Sequence, residues 1–149
     1  MKRFVFKLET VLKYRETLEK LAKNAYSEAQ HLLNIEKDKL RTLETKRDNL
    51  KAAYNIKTGE AALPEVLSFL STYSTQLLYL IRHQKKVTQE KELAAQEKFN
   101  DWNRKRKDVK IIKRLEEKKW QEYLKQVDKE EQKFQDEIFI AKTVREMVR

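Results

Sequence analysis

Apolar residues recur along this chain in steps of three, four and seven, with charged residues between them. That spacing places a stripe on one face of a helix. One stripe runs through Leu8, Val11, Leu18, Ala22, Ala25, Ala29 and Leu32. Near Ile35 it shifts to Leu33, Leu40, Leu43, Leu50 and Tyr54, the offset of a stutter, which locally unwinds a supercoil. The small residues Ala22, Ala25 and Ala29 admit a close partner helix but bury little apolar area, so this stretch is expected to be weakly held. Later stripes follow Val66, Leu70, Tyr73, Leu77, Leu80 and Val87, then Ala95, Phe99, Trp102, Val109, Trp120, Tyr123, Val127, Phe134 and Ile138.

Two residues punctuate the pattern. Gly59 and Pro64 are the single Gly and the single Pro of the 149 residues. Gly59 is suited to a positive φ that stops a helix, and Pro64 to the first turn of the next one, with Glu65 at its positive end. The chain therefore reads as all-α, a single antiparallel coiled-coil hairpin over residues 1–149. Its parts are helix 1 at about 8–57, a turn at about 58–63 and a longer helix 2 at about 64–144. At 1.5 Å per residue, the helices would be about 75 Å and about 120 Å long. Folding back from the turn then puts the N-terminus opposite 112–118 and leaves the residues beyond Trp120 projecting or seeking another partner.

Composition narrows the function. Charged residues make up 39% of the chain and hydrophobic ones 40%, and mean hydropathy is -0.88. Such a chain is too polar for a thick core, yet too rich in periodic apolar residues for disorder. With no Cys, no disulfide or thiolate metal site exists, and with one Gly no glycine-rich phosphate loop exists. His31 and His83 lie on different helices, and paired carboxylates such as Glu116 and Glu117 sit among lysines as surface ion pairs. No shaped pocket is expected, so the protein reads as a non-enzyme that needs no cofactor or metal. The N-terminus lacks the apolar run of a signal peptide, and no stretch approaches a membrane span, so a soluble cytoplasmic protein is expected.

Two features stand out as binding surfaces. The net charge of +10 is concentrated in a basic face at Arg104, Lys105, Arg106, Lys107, Lys110, Lys113 and Arg114. A block of this kind is either a solvated helix face or a site for anionic partners, nucleic acid among them. Trp102 and Tyr123 flank it but fall on the apolar stripe, which makes them seam residues first and base-stacking residues second. After the turn, apolar residues exceed what a two-stranded seam requires. If Val66, Leu70, Tyr73, Leu77 and Leu80 fill the seam, Leu67, Phe69, Leu78 and Ile81 are in surplus. The surplus is either a partner surface or a locally thicker core around Leu50 and Tyr54.

Both ends of the chain resemble a known family. The opening Phe4-Val-Phe-Lys-Leu-Glu-Thr-Val-Leu-Lys-Tyr-Arg is similar to the start of the FliJ family of flagellar export proteins. Leu115-Glu-Glu-Lys-Lys-Trp-Gln-Glu-Tyr through Glu130-Glu-Gln-Lys-Phe-Gln-Asp-Glu-Ile resembles that family's C-terminal signature. The resemblance implies a non-enzymatic coiled coil at the cytoplasmic face of the inner membrane, peripheral through its partners only. Those partners would be the hexameric flagellar export ATPase, whose assembly it promotes, the export gate's cytoplasmic domain, and export chaperones that it escorts. No nucleic acid is expected. On this analogy the ATPase contact would involve Phe4, Phe6, Leu8, Leu12 and Arg15, with Trp120, Tyr123, Phe134 and Ile138. The gate or chaperone contact would involve Tyr73, Leu77, Leu80 and Ile81. The alternatives are an injectisome ATPase stalk and a basic nucleic-acid-binding coiled coil.

Overall fold

A computed structural model describes residues 2–60 and 63–149. They form α1, Glu9–Gly59, and α2, Pro64–Val148, packed against each other as a hairpin in which α2 is the longer. Both helices outlast the expected ends at 57 and 144. Part of the expected turn at 58–63 falls on 61–62, outside the described residues. Gly59 does not adopt the left-handed conformation anticipated for it: it closes α1, and the Glu60 N–H still donates to the Ile56 carbonyl at 3.1 Å. Pro64 opens α2 as expected, with the Leu63 carbonyl accepting from Val66 and Leu67 at 3.1 and 3.3 Å.

The chain divides into two compact units, 20–103 and 1–19 with 104–149. In the first unit, the inward positions of α1 are Ala22, Tyr26, Ala29, Leu33, Glu36, Leu40, Leu43, Arg47 and Leu50, each buried or half-buried. Their steps of four and three never break, so the shift expected near Ile35 is absent. Leu33 is 4% exposed while its neighbour Leu32 is 42% exposed. Following apolar residues alone created the apparent stutter, because Glu36 and Arg47 occupy seam positions and Leu32 does not. On α2 the inward set is Leu67, Leu70, Ser74, Leu77, Ile81, Gln84, Thr88 and Ala95. Val66, Tyr73 and Leu80, expected in the seam, are exposed, and Ile81, expected in surplus, is buried. The physical reason is the same: Ser74, Gln84 and Thr88 hold heptad positions that only a count of phase reveals.

The alanine-rich stretch is better filled than its small residues suggest. Tyr26 stacks on Trp102 at 5.6 Å between centroids and meets Phe99 at 5.4 Å, while Ala22 is buried. Aromatic pairs of this geometry each add about 0.5–1.5 kcal/mol beyond the area they bury.

In the second unit, Leu12 and Val109 are buried, and ion pairs cross between the helices, among them Arg15 to Asp108 at 3.4 Å and Lys113 to Glu16 at 3.8 Å. Before α1 the backbone of Lys2–Phe6 is not helical. The N-terminal segment reaches past the expected 112–118: the Tyr123 hydroxyl donates to the Lys2 carbonyl at 3.0 Å.

Candidate functional site

The residues expected to contact partners separate into buried and exposed sets. Around the N-terminal strap, Phe6 and Leu12 are buried and Phe4 is half-buried. The Phe4 ring packs edge-on to Trp120 at 5.0 Å and against Tyr123 at 5.4 Å, and Trp120 stacks on Tyr123 at 5.5 Å. Three of the expected ATPase-contact residues thus form one aromatic cluster, with Arg15 engaged by Asp108 instead. Beside the cluster lies a cleft of about 690 Å³ lined by Phe4, Phe6, Leu8, Leu115 and Tyr123. Leu8 is exposed. Phe134 and Ile138 stand apart from the cluster, 63% and 41% exposed on a stretch of α2 where residues 128–142 are all exposed.

In the other unit, the expected gate set splits. Leu77 and Ile81 are each 2% exposed and belong to the seam; Tyr73 and Leu80 face outward. Phe69 and Tyr79, not in the expected set, are more exposed than either. From Val66 to Ile81 no residue is charged, in a chain that is 39% charged as a whole. Beside this stretch Leu50, Tyr54, Leu70 and Ser74 line an open cleft of about 390 Å³.

Sequence reasoning missed the polar layer of this unit. Gln84 donates from its amide to the Glu36 carboxylate and also to the Glu36 backbone carbonyl, the latter at 3.1 Å. The Gln84 hydrogen bond holds the Glu36 carboxyl below the usual carboxylate range, assisted by Lys39 and Lys91 and opposed by burial. The signal that could have found this pair was the heptad phase, in which Glu36 and Gln84 both fall inward.

The basic face is less open than its sequence suggests. Lys113 pairs with Glu16, Lys105 and Arg106 are half-buried, and Arg104 and Arg106 are engaged in further interactions. Lys107, Lys110 and Arg114 are exposed. Among the described residues no helix is long and apolar enough to cross a membrane, and no His, Cys, Asp or Glu cluster could hold a metal ion.

The model of a family described as "Flagellar FliJ protein" matches residues 4–147. The fold is also similar to a solved structure, the YscO homolog CT670 from Chlamydia trachomatis, with a TM-score of 0.51 and 21% identity over 91% of this chain and 93% of that one. No curated protein sequence matches. Since the family pattern runs from the strap through nearly the whole of α2, the chain belongs to the FliJ family, whose members are non-catalytic coiled-coil components of flagellar type III protein export.

Proposed function

We infer that this chain is the stalk-like component that binds the hexameric export ATPase, promotes its assembly, links it to the export gate and escorts export chaperones. The observation that carries this reading is the family match across residues 4–147. Exposure supports a division of labour. Leu8, Trp120, Phe134 and Ile138 offer apolar surface to the ATPase, while Phe6 and Leu12, being buried, hold the strap that presents Phe4. Tyr73 and Leu80 are the accessible members of the gate or chaperone set. Apolar side chains left in water on a charged chain mark a contact surface.

Titration of the protein into its purified export ATPase tests this reading, with hydrolysis rate and ring formation followed together. Both rise if it is correct, and both rises disappear when residues 1–15 or 125–149 are removed. No change in either, with a fully helical protein by circular dichroism, overturns it.

A further inference from the structure

The C-terminal part of α2 carries a second apolar seam that is exposed from Phe134 onward. Trp120, Leu124, Val127, Phe134, Ile138 and Ala141 follow one another in steps of four, three, seven, four and three. This phase differs from that of the seam used earlier in the unit, where Val109, Ile112 and Glu116 point inward. The strap covers its beginning, with Phe4 on Trp120, and Val127 is half-buried. Beyond that, Leu124 is 37% exposed, Phe134 63%, Ile138 41% and Val148 82%. The two polar seam positions are Glu131 and Arg145, of opposite sign and two heptads apart.

These charges choose among occupants. In a parallel pair of tails, Glu131 would face Glu131 and Arg145 would face Arg145, like charges in the same layers. An antiparallel pair centred between Phe134 and Ile138 behaves differently. Each Phe134 then meets the other copy's Ile138, Glu131 meets the small Ala141, and Arg145 of the other copy lies one layer from Glu131. The flanking positions place Asp128 of one copy beside Lys142 of the other; the like-charge pair of Glu137 with itself at the centre opposes this only once, against two copies of each attractive pair. We propose that residues 124–148 form an antiparallel helix pair with a second copy of this chain, which sequesters Phe134 and Ile138 until a partner displaces it. The paired stretch of about 25 residues is about 37 Å long.

The absence of cysteine makes a direct test possible with the full-length chain. Gln135 lies next to the centre of the antiparallel pair, so Gln135→Cys should cross-link two copies on oxidation, while Gln121→Cys should not. In a parallel pair the two positions are equivalent and would react alike. Sedimentation equilibrium between micromolar and millimolar concentration should show a monomer–dimer transition that Ile138→Glu abolishes with helicity retained. Glu131→Lys and Arg145→Glu should each weaken the dimer at least tenfold, and the double variant should restore it. A monomer at every concentration, equal cross-linking at the two positions, or no rescue by the double reversal overturns the proposal. The test uses this chain alone, so its failure leaves the ATPase reading standing.

Discussion

Leu77 and Leu80 are three residues apart and of the same type, yet the first is 2% and the second 47% exposed. Their substitutions should separate accordingly. Leu77→Ala is expected to cost about 2–5 kcal/mol, the range for a buried Leu truncation. Leu80→Ala and Tyr73→Ala should stay within about 0.5 kcal/mol, as exposed positions do. Urea unfolding followed by circular dichroism measures all three. If Leu80→Ala proved as costly as Leu77→Ala, the assignment of the outward face would be wrong. Gly59 offers a second contrast. It sits in helical conformation, and an added Cβ would meet nothing within 4 Å. Gly59→Ala should therefore stabilise the chain by about 0.4–1 kcal/mol by restricting the unfolded state. A left-handed glycine at the same place would have given the opposite sign.

At the scale of the element, the seam of the 20–103 unit combines apolar and polar layers. Leu40, Leu43, Leu77 and Ile81 supply apolar layers; Glu36 with Gln84, and Arg47 and Ser74, interrupt them. A polar pair in a seam lowers stability relative to leucine but favours the register in which both partners are satisfied. The Glu36 carboxyl is held below its ordinary value by Gln84, so the folded state prefers it ionised. Its stabilising contribution is complete above the ordinary carboxylate range and fades as pH falls through the lowered folded value. Unfolding midpoints measured at descending pH should show this loss, and Glu36→Gln should remove that part of the slope. A variant whose acid sensitivity equals that of the parent would rule the layer out as its source. Apolar counting could not reveal Glu36 and Gln84, because a polar residue announces its place only by its distance from other seam positions.

At the scale of the whole molecule, the two compact units should differ in how firmly α2 is held. Around Leu77, Ile81 and Ala95 the helix is buried against α1; at 128–142 every residue is exposed. Hydrogen exchange of the isolated chain at low concentration should show strong protection near Leu77–Ala95 and much weaker protection at 128–142. Equal protection would mean that the tail has found a partner.

Helical periodicity, chain breakers and terminal motifs are local properties, so the all-α class, two helices divided between Gly59 and Pro64, the length excess of α2 and the family are all legible in the chain. Which face of each helix lies inside is visible only in the packed molecule. A stripe of apolar residues two or three positions wide fits more than one heptad phase, and the phase is chosen by what the opposite helix presents. That choice buries Ile81, exposes Leu80 and draws Glu36 and Gln84 inward; in the other unit a non-helical strap carries Phe4 to Trp120 and Tyr123. The contact between residues more than a hundred positions apart has no local signature in the chain, so it became visible only once the two helices were packed.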